Sequence, residues 1–510
     1  MYSIVNTATV FGIDSKIISV EADISDGMPM FDMVGYLSSE VKEAKERVRA
    51  ALKNEGYALP VKRITVNLSP ASIRKTGASF DLPIAIAVLS AIGIVESNRL
   101  GNICLLGEIS LDGKIQPVKG VLSMVMEARN QGIEIVIVPK ANLLEARLVE
   151  GVVTIGVEKL SEVIELINSE SFEMDDISLD KDIEHLVQEY DFSMINGQQA
   201  LRRACEVAIA GMHNLLMVGP PGAGKSMIAK CIPSILPPMD NEEQLELSKI
   251  YSVSGKFDER KGLIKNRPFR SPHHTITAQG LVGGGLNPKP GEISLAHKGV
   301  LFLDELTEFN KSTLEIMRQP LEDKMVNIAR SAGSFTFPSD FVLVAAMNPC
   351  SCGYYPDLNR CRCTKLSIQR YMSKISQPLL DRIDICVEAP TLNFNQISSQ
   401  QDNECSASIR ARVMACHEIQ RKRFEDFGYR FNSQIPGNFM DKFCHLGPEE
   451  TAFMEERYEK YSLTARTFHK VIRVARTIAD LAGSNEIKIE HLQEALLYRG
   501  LDKKYWEGAM

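Results

Sequence analysis

The spacing of apolar and polar residues differs between parts of the chain. In residues 1–165, strand-like runs such as Ile17–Val20 and Ile135–Val138 alternate with helical stretches such as Ser39–Lys53. This alternation predicts an α/β domain. The end of the chain carries helical patterns instead. They lie near Ser406–Phe424, Glu449–Lys460, Ala465–Leu481 and Ile489–Leu497.

Between these parts, three short apolar runs predict buried parallel strands: Leu215–Val218, Val300–Leu303 and Phe341–Ala346. The first run leads into residues 219–226, whose sequence has the spacing of a phosphate-binding loop. Glycines allow the backbone to wrap a phosphate with its amide hydrogens inward, and a helix beginning near Lys225 adds its positive end. The expected nucleotide-binding residues are Gly219, Pro220, Pro221, Gly222, Ala223, Gly224, Lys225 and Ser226.

Phosphate chemistry assigns roles to the side chains of this pattern. Lys225 is expected to reach the β- and γ-phosphates, and the Ser226 hydroxyl to bind Mg²⁺. The strand Val300–Leu303 ends in Asp304 and Glu305. We expect Asp304 to hold Mg²⁺ through water and Glu305 to orient or deprotonate the attacking water. Adjacent acids on a surface are normally only solvated charge, but this pair follows a buried strand, where open α/β sheets place their sites.

Three further polar residues complete the expected site of an ATPase or GTPase. Asn348 follows the third strand and is expected to contact the γ-phosphate or the water. Arg382 and Arg466 are candidates because a guanidinium supplied from elsewhere can accelerate phosphoryl transfer ~10³–10⁵-fold. Locally, Arg382 could instead only pair with Asp381 or Asp384 at the surface.

Four of the eleven cysteines form two close pairs separated by a short loop. Such pairs can close a tetrahedral Zn²⁺ site, although C-x-C spacing is tighter than the usual C-x₂-C. Free buried thiols are the alternative. The candidate zinc ligands are Cys350, Cys352, Cys361 and Cys363.

Composition is that of an ordinary globular protein, with 510 residues, 44% hydrophobic and 24% charged. The length predicts roughly three domains. The longest apolar stretch, Leu82–Val95, is too short to span a bilayer, and the chain does not start with a signal-peptide pattern. We therefore expect a cytoplasmic protein without a membrane partner, whose cysteines stay reduced. The net charge of −7 argues against a broadly basic surface but permits a basic lining inside a ring.

The order of these motifs resembles that of the AAA+ ATPases, in the branch that contains magnesium chelatase. The segments Gly291–His297, Asn348–Cys350 and Ala475–Leu481 also resemble the YifB/ComM family of Mg-chelatase-like bacterial proteins, and this resemblance covers essentially the whole chain. It implies a homohexameric ATPase ring that uses ATP and Mg²⁺ and acts on single-stranded or branched DNA. The implied action is that of a helicase or branch-migration motor in recombination or natural transformation. By this resemblance, Arg382 is the arginine finger that reaches a neighbouring subunit's ATP, and Arg466 is the second sensor.

The segments Leu106–Ile115 and Val136–Lys140 resemble the proteolytic domain of Lon. The resemblance puts Ser79 at the nucleophile, but the position of its lysine partner falls on Leu122, with Lys119 nearby. A serine without a base is a poor nucleophile, so this domain is expected to be proteolytically inactive. The expected domains are a Lon-like α/β domain 1–165, an acidic linker 166–190, an AAA+ core 191–392 carrying the cysteine insert, and a helical lid 393–510.

Two loops are candidates for DNA contact. A Gly- and Pro-rich stretch precedes the Asp-Glu strand, and a predicted hairpin has the arms Met325–Arg330 and Phe335–Phe337. If these loops line a pore, Arg270, Lys289 and Arg330 contact a phosphate backbone; otherwise they are solvated loop charges.

Two rival functions remain open: a chelatase subunit that inserts a metal into a tetrapyrrole, and a protein-remodelling AAA+ machine. Against the chelatase we weigh the cysteine cluster and the Lon-like domain.

Overall fold

A computed structural model of the chain contains two α/β sheets followed by a helical region. The expected linker 166–190 falls largely outside the described residues, and so does the expected start of the helical lid at 393. The described residues are 1–169, 172, 189–285, 287–330, 333–391, 403–500 and 505–506.

The first sheet mixes parallel and antiparallel strands, and its side chains alternate between two faces. Ile137 packs into one apolar cluster, while Val136 and Val138 pack into another. Helices therefore cover both faces. In spatial order the strands are Met30–Val34, Arg63–Ser69, Asp14–Ser25, Tyr2–Phe11, Ile103–Leu105, Ile135–Pro139 and Val153–Val157. The helices are Ser39–Asn54, Asp81–Ala91, Val121–Asn130, Leu143–Ala146 and Leu160–Ser169.

The helix Asp81–Ala91 lies at the centre of this region. It is apolar on almost every side, and all of its residues are buried, as expected of a helix without a polar face. Its one carboxylate, on Asp81, accepts hydrogen bonds of 2.7 and 2.9 Å from Arg47.

The second sheet is parallel throughout. Its strands are buried on both faces, which explains their unbroken apolar runs: Met217 and Phe302 face one cluster, and Leu216 and Leu301 face the other. In spatial order the strands are Phe269–Arg270, Val300–Leu303, Val342–Met347, Leu215–Val218 and Ile385–Glu388. The surrounding helices are Gln199–Gly211, Lys225–Cys231, Asn241–Ser254, Ala278–Val282, Glu292–Leu295, Lys311–Ile316, Arg318–Asp323, Lys365–Met372 and Gln377–Leu380.

The C-terminal helices pack on the helix Gln199–Gly211 of the second sheet. They are Ser406–Arg423, Met440–Phe443, Pro448–Lys460, Ala465–Leu481 and Ile489–Leu497. None of the helices among the described residues is both long enough and apolar enough to cross a membrane. The expected fold class is confirmed: a phosphate-loop core with a parallel sheet, an α/β part before it and helices after it. The domain boundaries stay predictions.

Side-chain contacts join the two sheet regions. The ring of Phe11, at the first turn of the chain, lies 4.6 Å from that of Phe335. Lys249 pairs with Asp14 at 2.7 Å, and Ser252 donates a hydrogen bond to the buried Glu145. The two-stranded hairpins are Glu108–Ile109 with Ile115–Gln116, Gly283–Gly284 with Lys289–Pro290, and Met325–Arg330 with Gly333–Pro338.

Candidate active site

A cavity of about 400 Å³ opens at the carboxyl edge of the parallel sheet. Parallel strands bring the residues that follow them to one edge, so segments far apart in sequence meet here. The lining residues are Pro221, Gly222, Ala223, Gly224, Lys225, Ser226, Met227, Asp304, Glu305, Met347 and Asn348. The structure thus brings together the phosphate loop, both acids and the asparagine.

The phosphate loop depends on its glycines at specific points. Gly222 and Gly224 have φ of +78° and +83°, a conformation that favours glycine. A Cβ on Gly219 would collide with the carbonyl of Ala389, at the end of the neighbouring strand. The loop therefore adopts its turn and sits against the sheet only because these positions lack side chains.

Lys225 is almost fully buried at the mouth of this loop. Its Nζ donates to the carbonyls of Gly219 and Pro220, at 2.6 and 2.9 Å, and to Oδ1 of Asn348 at 3.2 Å. Burial lowers the pKa of this ammonium. Burial disfavours the charged form of Lys225, and the nearby Asp304 compensates only in part. An anionic ligand beside the ammonium would supply the remaining opposite charge.

Ser226 and Asp304 form a pair of hard oxygen donors. The Ser226 hydroxyl donates to Oδ2 of Asp304 at 2.6 Å, while Oδ1 accepts from the backbone N–H of Glu305 at 2.9 Å. A hydroxyl beside a carboxylate is a donor set that suits Mg²⁺, which prefers oxygen ligands and one or two carboxylates. These residues therefore fit the expected metal.

Glu305 has a strained backbone. Its φ of +52° and ψ of +48° are unusual for a residue with a side chain, and such outliers concentrate at functional sites. Its carboxylate is 59% exposed, and Oε2 lies 3.5 Å from Nδ1 of His274. Sequence reasoning missed this neighbour, because only the parallel pairing of Phe269 with Val300 brings the two segments together.

Neither expected arginine lines this cavity among the described residues. Arg382 is largely buried and donates to the carbonyls of Arg318 and Pro378, at 3.1 and 2.6 Å, and to the Glu322 carboxylate. Its carboxylate partner is therefore Glu322, not the Asp381 or Asp384 of the local alternative. Arg466 lies exposed in the first turn of the helix Ala465–Leu481.

The three candidate DNA contacts differ in how their charges are paired. Arg270 forms a two-pronged ion pair with Glu292, with distances of 2.6 and 2.8 Å. Lys289 is exposed, and Arg330 is exposed with Nε 3.3 Å from the carbonyl of Gly285. Lys289 and Arg330 thus lie on two hairpins that touch each other, whereas the charge of Arg270 is already matched.

The four thiols of the cysteine insert lie within 4.8 Å of one another. Burial alone would raise the pKa of Cys352, but hydrogen bonds from the Tyr354 amide and the neighbouring thiols lower it to about 6. The pKa of Cys361 is instead raised to about 12, first by burial and then by its thiol neighbours. The first thiolate of the cluster therefore forms easily, whereas each further thiolate would be repelled by it. A dication that binds thiolates would neutralise this repulsion and fits the cluster.

The cysteine insert touches the phosphate loop. A Cβ added to Gly353 would lie 2.5 Å from Cδ of Pro221, so the loop after Cys352 packs directly on residues that line the cavity. The insert also begins two residues after Asn348, which binds Lys225.

A second cavity, also of about 400 Å³, lies between the two sheet regions and includes Ser79 and Lys119 in its lining. Within the described residues no hydrogen bond joins these two side chains, and the side chain of Lys119 runs along Gly255 instead. Leu122 is fully buried, with its N–H donating to Glu145 at 3.1 Å. Among the described residues, the lysine position therefore holds a buried leucine and not a base for Ser79.

Comparisons with known proteins agree along the whole chain. The family profile "Magnesium chelatase, subunit ChlI" matches residues 191–397, "Subunit ChlI of Mg-chelatase" matches 20–142, and "Magnesium chelatase, subunit ChlI C-terminal" matches 403–499. The chain is 40% identical to the uncharacterized protein YifB of Escherichia coli over 98% of this chain and 97% of the relative. It is 38% identical to the competence protein ComM of Haemophilus influenzae, again over 98% and 97%. Lon protease 2 of Bacillus subtilis is 30% identical over 29% of this chain and 28% of the relative.

The Lon-like region was expected to distinguish this chain from chelatases, and these matches correct that expectation. The first α/β region also matches a profile named for the chelatase subunit, so it does not separate this chain from chelatases. The cysteine cluster stays as the feature weighed against that function.

Proposed function

Because the chain belongs to the Mg-chelatase-like AAA+ ATPase family of YifB and ComM, we propose that it is a ring-forming ATPase that moves on or remodels single-stranded or branched DNA. The observation that carries the ATPase part is the meeting of Lys225, Ser226, Asp304, Glu305 and Asn348 around one cavity. The DNA part rests on the likeness to a competence protein and on the exposed basic hairpins.

In the proposed mechanism the ATP phosphates lie along the amides of residues 219–226. Lys225 exchanges its carbonyl partners for the β- and γ-phosphates, since these carry the charge that its buried site lacks. Ser226 and Asp304 would hold Mg²⁺, which would supply Lewis-acid stabilisation of the phosphate charge when bound. Glu305 orients the attacking water and accepts its proton, and Asn348 contacts the γ-phosphate or that water.

Arg382 completes the site from a neighbouring subunit in this proposal. It lies outside the cavity of its own protomer, and its contacts to Arg318, Pro378 and Glu322 hold the guanidinium in a fixed place. To act there, the guanidinium would exchange its Glu322 partner for the charge that develops on the γ-phosphate. We assign Arg466 the second-sensor role and the assembly a homohexameric state, with a cytoplasmic location.

We keep the domain assignment of an inactive Lon-like region at 1–165, a linker at 166–190, an AAA+ core at 191–392 and a lid at 393–510. The DNA-facing surface in this assignment is formed by the hairpins of Lys289 and Arg330. Arg270 contributes least, because Glu292 already neutralises it.

We also propose that Cys350, Cys352, Cys361 and Cys363 bind one structural Zn²⁺. The close approach of their sulfur atoms supports this, as does the charge repulsion that four thiolates would otherwise suffer. Zinc would stiffen the loop that packs on Pro221 and so link metal binding to nucleotide affinity.

The test compares ATP hydrolysis by the full chain alone, with single-stranded DNA, with forked DNA and with an unfolded protein. We expect DNA to stimulate the rate and the fork to be unwound, in both cases lost in Lys225→Ala. Stimulation by the unfolded protein alone would favour the protein-remodelling rival. A rate that responds only to a tetrapyrrole and its metal would favour the chelatase.

A further inference from the structure

The arginine that we place against a neighbouring subunit's ATP lies at the opposite edge of the parallel sheet from the ATP cavity. Arg382 comes three residues before the strand Ile385–Glu388, whereas the phosphate loop follows the strand Leu215–Val218, and these two strands run parallel. The amino ends of parallel strands lie at one edge of a sheet and the carboxyl ends, with the ligand sites, at the other. The place of Arg382 is therefore set by contacts at the amino edge.

Asn214 holds the segment around Arg382 at this edge. It directly precedes Leu215–Val218 and is buried, with 8% of its surface exposed. Its Nδ2 donates to the Arg382 carbonyl at 2.9 Å, and its own carbonyl accepts from the N–H groups of Asp384 and Ile385, at 3.1 and 3.0 Å. Its N–H donates to Oδ2 of Asp384 at 3.0 Å. Asn214 therefore ties the backbone from Arg382 to the strand that follows it.

The same side chain also reaches the strand on the other side of Leu215–Val218. Its Oδ1 accepts a hydrogen bond of 2.9 Å from the Leu343 N–H, and the strand that contains Leu343 leads to Asn348. A carboxamide carries a donor and an acceptor at its tip, and here each has a backbone partner in a different segment. Alanine at this position would remove both bonds, so that a buried N–H and a carbonyl would lose their partner.

The two segments that Asn214 joins depend on it to different degrees. The inner strands of the sheet also pair with each other along their lengths, so they have other bonds that hold them in register. The Arg382 carbonyl lies outside the paired residues of Ile385–Glu388. Because the guanidinium must leave Glu322 to act on a neighbouring site, the backbone beneath it sets where it can reach. A displacement of about 1 Å can lower a rate about 10²-fold.

We infer that Asn214 is a positioning residue for Arg382, because it holds the backbone from which the guanidinium reaches the ATP of a neighbouring subunit. The inference rests on the proposed function and adds to it the group that sets the reach of the arginine. Asn214 acts only through the Arg382 backbone. Its loss should therefore affect the seam at which a subunit supplies its arginine, and not the seam at which the same subunit supplies its phosphate loop.

The test places Asn214→Ala on one side or the other of a seam in mixed rings of the full chain. One partner carries Lys225→Ala and supplies arginines, and the other carries Arg382→Ala and supplies phosphate loops. With Asn214→Ala on the arginine-supplying partner, we expect kcat for ATP to fall about 10- to 100-fold, with less than about a twofold change in KM. With Asn214→Ala on the loop-supplying partner, we expect kcat to stay within about threefold of that of the parent mixture.

Two further variants control this comparison. Asn438→Ala removes an exposed asparagine of the helical region and should leave kcat unchanged in both placements. Asn214→Ser keeps a hydroxyl that can replace one of the two side-chain bonds, so it should recover part of the kcat lost on the arginine-supplying side. If Asn214→Ala does not assemble into rings, Asn214→Ser decides the question in the same two placements, and equal rates overturn the inference.

The possible results distinguish the inference from the function on which it rests. An active parent mixture in which both placements give equal rates, or in which only the loop-supplying placement loses activity, would contradict the role of Asn214 and leave the seam intact. A parent mixture that forms mixed rings and stays inactive, while the wild type hydrolyses ATP, would contradict the action of Arg382 across the seam and the inference with it. A loss confined to the arginine-supplying placement supports both.

Discussion

The two sheets of this protein are both covered by helices, yet they differ in what lies at their functional edges. Around the parallel sheet, Lys225 and Ser226 find partners in Asn348 and Asp304 within 3.2 Å. In the first region, Ser79 lines a cavity of similar volume, but the lysine position is a buried leucine. A sheet covered by helices therefore does not by itself provide a catalytic site; paired polar groups at its edge do.

The first region nevertheless contacts the parts of the core that we place against DNA. Phe11 packs on Phe335 of one hairpin, and the cavity around Ser79 includes Lys289 of the other. A region whose lysine position is a leucine can thus still support the hairpins of its neighbour.

The largest expected effect contrasts the two edges directly. Glu305→Gln should lower kcat for ATP about 10²–10⁴-fold while ATP still binds, because the amide cannot accept the proton of the water. Ser79→Ala should leave ATP hydrolysis, DNA unwinding and the melting temperature unchanged. Hydrolysis rates and nucleotide titrations check both variants. A peptidase activity that Ser79→Ala removes would break the contrast.

Each region has a buried aspartate, and the pKa values of these two groups are shifted in opposite directions: lowered for Asp384 and raised for Asp81. Burial alone would raise the pKa of Asp384, but Lys470 3.6 Å away, His213 and the Asn214 amide outweigh burial and lower it. Asp384→Asn should therefore cost about 3–5 kcal/mol at pH 7, because it leaves the Lys470 charge buried without its partner.

The pH dependence of that contribution follows from the direction of the shift. A carboxyl group whose pKa is lowered in the folded state stabilises the protein at pH values above the ordinary aspartate pKa. This stabilisation is lost as the pH falls through the folded-state pKa. For Asp81, burial outweighs the hydrogen bonds and charge of Arg47 and raises the pKa. Its contribution to folding stability is therefore present at pH values below the ordinary aspartate pKa and is lost as the pH rises through the folded-state pKa. Denaturant unfolding of Asp81→Asn and Asp384→Asn between pH 4 and 7 should show the smaller loss for Asp81→Asn at pH 7; equal losses would contradict this.

The cysteine insert gives a third, intermediate effect. Cys352→Ser and Cys361→Ser should lower bound zinc from about one equivalent to well under half, weaken ATP binding, and lower the melting temperature by about 2–4 °C for each kcal/mol lost. Cys405→Ser, which removes an exposed cysteine outside the cluster, is the control and should change none of these. Metal analysis of wild-type protein that finds less than about half an equivalent of zinc would contradict the proposed zinc site.

The smallest effect concerns the hairpins. Arg330→Ala and Lys289→Ala should each weaken DNA binding across sequences and reduce the slope of log affinity against log salt by about one. Arg270→Ala should alter that slope less, since Glu292 already pairs with its charge. Titrations at several salt concentrations measure these slopes, and unchanged slopes for Arg330→Ala and Lys289→Ala would contradict the assignment of these hairpins to DNA.

Local pattern was enough to predict much of the fold and of the site. The unbroken apolar runs gave the three inner strands, and the polar residues after them gave Asp304 and Asn348. The Met325–Arg330 hairpin arm follows from alternation alone and is present as predicted.

What could not be predicted depends on contacts between distant segments. The 3.5 Å approach of His274 to Glu305 follows from strand pairing, and the Arg382–Glu322 pair joins residues 60 positions apart. The strand Phe269–Arg270 is too short to produce a periodic signal. Each of these features is set by tertiary packing, which a single sequence does not encode locally.

The central claim is that ATP is hydrolysed at a seam, with Lys225 from one subunit and Arg382 from the next. The most direct test mixes two variants, Lys225→Ala and Arg382→Ala, each expected to be inactive alone. In an equal mixture that exchanges subunits, about a quarter of the seams combine an intact phosphate loop with an intact arginine, so ATP hydrolysis should reappear. A mixture that assembles into mixed rings and stays as inactive as its components would contradict the claim, as would full activity of Arg382→Ala alone.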